Sequence, residues 1–184
     1  MALAAFAVHG ADKLPISEDP SMNPETRILV VYYSHTGNTE RVAKDLAARL
    51  RADVERIEDK ADRSGFTGYL GAIYDSVRKV AADIGKPQKD PADYALAVVG
   101  TPVWAWNITP AARAYLQATK GRPRAVAFFV TSGNTDAAKI VPEMEAVSGQ
   151  KAIASTGFTA NELKDPAAYE SKLGAFVKAL EARP

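Results

Sequence analysis

Apolar positions alternate between two patterns from residue 27 onward. Short runs that are almost wholly aliphatic, β-branched or aromatic give way to stretches where apolar residues recur every three or four positions. The first pattern is that of a strand buried on both faces, the second that of an amphipathic helix. It predicts strands over 28–33, 53–57, 94–100, 124–130 and 151–158, with 53–57 the weakest and nearest an edge. Between them it predicts a helix over 38–50, with Val42, Ala43, Leu46, Ala47 and Leu50 on one face. A longer helix is expected from about 68, carrying Leu70, Ile73, Tyr74, Val77, Ala81 and Ile84 and stopped by Gly85 and Pro87. A charged linker, 58–67, precedes it. Thr109 before Pro110 marks a helix start, running to about 119. Ile140, Met144 and Val147 share one face of the next helix, which has Pro142 near its start. The last helix, 166–181, buries Tyr169, Leu173, Phe176, Val177 and Leu180.

Five strands interleaved with helices predict an α/β fold: a doubly wound five-stranded parallel sheet with helices on both faces, in three layers. In such sheets a ligand sits beyond the carboxyl ends of the strands, at the switch point. The loops after the first, third and fourth strands would converge there. No internal repeat or second-domain linker is evident.

The first of these loops is Ser34, His35, Thr36, Gly37, Asn38 and Thr39. Its hydroxyls and amide, and a glycine that permits a tight backbone, lead straight into a helix, whose N-terminus offers free N–H groups and a partial positive charge. That is a natural phosphate cradle. A plain capped helix start would need only one of these residues. Without Lys or Arg, the loop suits a phosphate held by neutral donors as part of a resident cofactor. His35 reads as an exposed loop side chain that could touch the phosphate edge.

The second loop is Thr101, Pro102, Val103, Trp104, Ala105, Trp106 and Asn107. Two tryptophans in three residues could form a shelf for a planar ring, with loop backbone groups on the ring's polar edge. The other reading has one Trp capping the sheet edge and one on the surface. The third loop, Thr131, Ser132, Gly133 and Asn134, could form the opposite wall. Alone it is an ordinary turn, and its weight comes from coinciding with the other two.

Composition removes several classes. The full chain has 184 residues, 47% apolar and 24% charged, with 23 basic and 22 acidic side chains and a net charge of +1. No charge field points to nucleic acid or an anionic membrane. No apolar run approaches the roughly 20 residues of a membrane span. The chain has no Cys, so disulfides, thiolate metal sites and a Cys nucleophile are excluded, which is compatible with the cytoplasm. There is no G-x-x-x-x-G-K-[ST], no G-x-S-x-G and no G-x-G-x-x-G after a strand. Tyr33-Ser34 and Gly100-Thr101 stand where a receiver domain would carry acids. Residues 1–26, with Pro15, Pro20 and Pro24, read as a flexible extension or an upstream start, Met22 being an alternative initiator. An exported precursor and a packed N-terminal element are the other readings. Residues 27–184 form the domain.

On these residues the chain resembles the flavodoxin-like family. Tyr33 to Thr39 is similar to its FMN phosphate loop, S/T-x-T-G-N-T. Gly100-Thr101-Pro102-Val103-Trp104, followed by Thr109-Pro110 and a helix, is similar to its isoalloxazine loop. The resemblance covers about 27–183. It implies non-covalent FMN, with the phosphate at 34–39 and the ring between 101–107 and 131–134, Trp104 being the first candidate for ring contact and Trp106 the second. It implies a flavin-dependent oxidoreductase passing electrons from NAD(P)H or a partner to a quinone-like or protein acceptor. A non-enzymatic electron carrier is the alternative, and a sensing or scaffold domain the third reading. No proton-transfer residue is nominated, and the oligomeric state is open. Two departures stand out. Carrier flavodoxins are generally strongly acidic, while this chain is nearly neutral. The third loop also lacks the aromatic that often stacks there, which leaves one ring face open to a substrate. The fifth strand lacks the insertion of long-chain flavodoxins. Phe66, Tyr69 and Tyr74 could overhang the pocket, with Tyr74 expected in the core.

Overall fold

Ile28–Tyr32 forms β1, in the centre of the sheet, with Leu29, Val30 and Val31 fully buried. The computed structural model describes residues 26–61, 71 and 74–182. After β1 come α1 (Asn38–Leu50), β2 (Asp53–Arg56), β3 (Leu96–Trp104), β4 (Asn107–Ile108), α2 (Pro110–Ala118), β5 (Val126–Ser132), α3 (Val141–Ser148), β6 (Ala152–Thr159), α4 (Ala160–Lys164) and α5 (Pro166–Glu181). The parallel strands run β2-β1-β3-β5-β6, and β4 folds back antiparallel on β3. The order reverses at β1, which pairs with β2 on one side and β3 on the other. The expected doubly wound sheet is therefore present, and β2, alternately half-buried and exposed, lies at its edge.

Each face of the sheet carries an apolar layer. Val30, Tyr32, Val98 and Phe129 pack against α1 and α5 through Val42, Leu46, Tyr169, Leu173 and Phe176. Leu29, Val31, Val99 and Phe128 pack against α2 and α3 through Tyr115, Leu116, Ile140 and Met144. A fully buried Leu or Phe contributes about 1.5–3 kcal/mol, an exposed ion pair about 0–1 kcal/mol. These layers, and not surface pairs such as Arg49–Glu170 at 2.5 Å, hold the helices on the sheet.

Three departures from the sequence pattern have physical causes. The expected loop 101–107 is mostly strand: β3 continues through Trp104, turns at Ala105-Trp106 and returns as β4. Extended pairing of Val103 with Ile108 and Trp104 with Asn107 outweighs the lack of an Asn-Gly turn signal. The expected long helix to residue 84 is absent from 80 onward. Residues 74–77 are helical, and the chain then turns through Lys79 at φ 57°. Its continuation pairs with the linker instead: Lys60 N–H donates to the Asp83 carbonyl at 3.0 Å and Gly85 N–H to the Glu58 carbonyl at 2.8 Å. Tyr74, expected in the core, is 58% exposed, and Val77 is 59% exposed. Phe66 and Tyr69 lie outside the described residues, as do 1–25.

The third departure is α4, which the apolar periodicity does not reveal. Its signal is a capping box, Thr159-x-x-Glu162. Glu162 accepts from the Thr159 N–H at 2.7 Å and its hydroxyl at 2.8 Å, and pairs with Lys172 at 2.5 Å. Lys172 first, then the Thr159 donors, hold this carboxyl down at about 2 against an opposing effect of burial. A depressed acid stabilises the fold above its unfolded value of 4.5, and that contribution is lost as pH falls from about 4.5 to about 2. Glu162→Gln keeps a capping acceptor but loses the charge facing Lys172, and is expected to cost about 1 kcal/mol at neutral pH. In urea melts at stepped pH, the gap between variant and parent should close across that interval.

Candidate functional site

The carboxyl ends of β1, β3 and β5 bring the three loops to one rim. The Tyr33 N–H donates to the Gly100 carbonyl at 3.1 Å, tying the exit of β1 to β3. Pro102 stands in register with Thr131 across β3 and β5. The Thr39 and Thr131 hydroxyls lie 2.8 Å apart and buried, so the first and third loops touch. Tyr33 and His35 each meet the Trp104 ring edge-on, at 5.7 Å and 5.8 Å between centroids, so the first and second touch too.

In the first loop, Ser34 is buried and its Oγ accepts the Gly37 N–H at 3.1 Å, closing a tight turn. Gly37 sits at φ 89°, with open space where a Cβ would project. That conformation strains any other residue. The N-cap residue of α1 is Gly37, which has no side chain to cap it, so the first-turn N–H groups receive no bond from that residue's side chain. Thr36 and Asn38 are exposed beside it, as is His35. Thr39 is buried with its hydroxyl bonded to that of Thr131. A cation stands close by as well: Arg56, in register with Tyr32, donates to the Ser34 carbonyl at 3.1 Å and to Glu40 at 3.3 Å. Parallel pairing brings it there across 22 residues, and no local motif announces it.

Thr101 in the second loop is fully buried. Its Oγ1 lies 2.9 Å from that of Thr109, which caps α2. This residue anchors the hairpin and does not face the rim. Pro102 and Val103 are half-buried, and Trp104 is half-buried against Tyr33 and His35. Trp106, at the hairpin tip, is 79% exposed. One tryptophan thus packs at the sheet edge while the other lies on the surface. Ala105 and Trp106 both have positive φ, 46° and 61°, in a turn that favours Asn-Gly. Left-handed backbone costs such residues about 1–2 kcal/mol each. The Asn107 side chain steadies the turn by donating to the Ala105 carbonyl at 2.7 Å.

In the third loop, the Ser132 hydroxyl accepts the Thr135 N–H at 2.9 Å and holds the turn shut. Gly133 and Asn134 are exposed. Two cavities flank the rim. One of 190 Å³ lies beside Tyr33, Ser34, His35 and Arg56. The other, of 250 Å³, lies behind Asn134 and reaches Gly157 and Lys172. A cavity of 620 Å³ opens away from the rim, between 86–91 and Ala118, Thr119 and Arg122. It begins in the segment leading into β3, at the end of the sheet opposite the three loops. Among the described residues there is no cluster of three metal-ligating side chains and no helix long and apolar enough to cross a membrane.

No protein-family model matches the sequence, and no curated protein matches it. Solved structures do. A flavoprotein from Lactobacillus acidophilus NCFM, solved in complex with FMN, superposes with a TM-score of 0.63 at 20% identity, over 75% of this chain and 96% of that one. A flavodoxin from the domain Archaea gives 0.52 at 13% identity, over 84% and 96%. The rubredoxin oxygen:oxidoreductase of Desulfovibrio gigas gives 0.53 at 19%, over 85% of this chain but only 36% of its own. The strand order, the two helical layers and these superpositions together assign the chain the flavodoxin-like fold.

Proposed function

We propose that this chain binds FMN non-covalently at the rim and works as a flavin-dependent oxidoreductase. The observation that carries this reading is the meeting of three loops around an uncapped helix N-terminus. The residues fit the cofactor's phosphate: first-turn N–H groups of α1, the Gly37 cradle and the exposed Thr36 and Asn38 present neutral donors, and the helix adds its partial positive charge. Ser34 shapes this turn by accepting the Gly37 N–H. Trp104, Ala105, Trp106 and Asn107 would form one wall of the ring site and Ser132, Gly133 and Asn134 the other. Bound FMN would supply one- or two-electron redox chemistry. The chain's own part is to hold and orient the ring, keep water from its buried edge and offer backbone hydrogen bonds. The reading assigns no proton-transfer residue.

The electron donor we favour is a reduced nicotinamide nucleotide or a partner protein, and the acceptor a quinone-like molecule or a redox protein. A near-neutral chain lacks the charge that steers an acidic carrier to basic partners. A cytoplasmic location, in keeping with a chain free of cysteine, belongs to the same proposal.

The test is an absorption spectrum of the purified protein, then anaerobic addition of NADH and NADPH in turn, with and without a quinone. Visible flavin bands bleached by one nucleotide and restored by quinone are the expected result. Bands that respond only to a partner reductase would make the protein a carrier. Bands that no donor bleaches would leave a sensing role. A colourless protein whose tryptophan fluorescence ignores added FMN contradicts the cofactor assignment.

A further inference from the structure

The return strand of the hairpin that would face the flavin has little pairing to hold it. It has two residue pairs, Val103 with Ile108 and Trp104 with Asn107, and two residues of its turn occupy left-handed backbone. Such a ribbon is marginal alone, so its orientation must come from outside. Thr101 and Thr109 fix one side through their hydroxyls. The other side rests on Glu143, in the first turn of α3.

Glu143 joins four segments. Its Oε2 accepts the N–H of Ile108 at 3.2 Å. Its Oε1 pairs with Arg113 of α2 and lies 3.4 Å from the Nζ of Lys79. Arg113 is only 5% exposed, and its Nε is buried with no hydrogen-bond partner among the described residues. Removing two charges from water costs more than such a pair commonly returns, so a buried ion pair is poor evidence for stability. What this one supplies is direction: a carboxylate aimed at one backbone N–H of the return strand, itself clamped by a guanidinium on the neighbouring helix.

We propose that Glu143 is a positioning residue for the ring wall, acting through Ile108 to set the hairpin that carries Trp104 against the flavin. This rests on the FMN reading for its consequence, though the anchoring itself can be measured without cofactor. Three variants separate the possibilities. Glu143→Gln keeps an acceptor for Ile108 but strips the charge facing Arg113. Should it fold poorly, the double variant Glu143→Leu with Arg113→Met removes both charges and leaves none buried unpaired. Glu143→Asp keeps the charge on a shorter stem and should recover part of the effect.

In the protein without cofactor, amide exchange at Asn107 and Ile108 should accelerate at least tenfold in the double variant, with β1 and α1 unchanged. Its affinity for FMN and for riboflavin should fall by the same factor, about tenfold, because the wall meets the ring both share. Unchanged exchange at Ile108 in a folded double variant, or riboflavin affinity within twofold of the parent, overturns the proposal. If the parent binds neither flavin, the cofactor reading fails, and the exchange result still decides whether Glu143 anchors the hairpin.

Discussion

Gly100→Ala is expected to destabilise the fold by about 3 kcal/mol, lowering the thermal midpoint by roughly 6–12 °C for a chain of this size. A glycine-to-alanine change inside a strand would ordinarily help by about 0.5–1 kcal/mol. Here the neighbouring ring decides the sign. Gly100 stands in register with Phe129 across β3 and β5. A Cβ at Gly100 would fall 2.0 Å from the Phe129 Cζ and 2.3 Å from its Cε1, far inside van der Waals contact. Phe129 is fully buried against β1, α1 and α5, so the ring has nowhere to retreat. Phe129→Leu shortens the obstacle, and combining it with Gly100→Ala should recover part of the loss. Independent, additive effects in that cycle would contradict the clash. The position matters beyond stability, because the Gly100 carbonyl receives the Tyr33 N–H, where the first loop leaves the sheet.

Thr36→Glu is expected to leave folding within about 0.5 kcal/mol and to reduce FMN affinity at least a hundredfold. Thr36 is exposed in the loop before α1, so the substitution disturbs no packing. A carboxylate there would face the phosphate directly. One pair of like charges about 5 Å apart costs about 3 kcal/mol at an effective dielectric of about 20, which is about a hundredfold in binding, and the phosphate carries more than one charge. Riboflavin has no phosphate, so its affinity should be unchanged. Fluorescence titration with both flavins reads this. Equal losses for FMN and riboflavin would mean that the loop holds something other than the phosphate. The pattern is the reverse of that expected for Glu143, where both flavins weaken together.

Local signals carried most of the fold. α1 and α5 have the bounds that periodicity and end signals indicate, and α2 ends one residue early. Thr109 caps α2 and Gly149 ends α3 in left-handed backbone. The central strands were legible because burial on both faces leaves few polar residues in Ile28–Tyr32 and Val126–Ser132. What escaped was set by distant pairing. Ile84 keeps helical spacing with Tyr74 and Val77, yet it bridges Asp59 in an antiparallel contact, and the bond from Ala82 N–H to the Pro110 carbonyl holds that segment to α2. The β3–β4 hairpin was hidden because its turn uses Ala105-Trp106 where a reader looks for Asn-Gly. In the candidate site, the convergence of the three segments on one rim was readable; the strand pairing within 101–107 and the direction of the side chains were not. Nothing local says that Thr101 turns inward to Thr109, that the Thr39 hydroxyl is taken by Thr131, or that Arg56 arrives from the edge strand. Each depends on register between strands far apart in sequence.

The most direct test is an amide chemical-shift map of the labelled protein during titration with FMN. Shifts that saturate near one equivalent and concentrate at 34–39, 104–107 and 132–135 are the expected result, with 86–91 and 118–122 unmoved. FMN that leaves the rim amides unshifted, or that perturbs only the 620 Å³ cavity at the other end of the sheet, would contradict the assignment of the three loops to one flavin site.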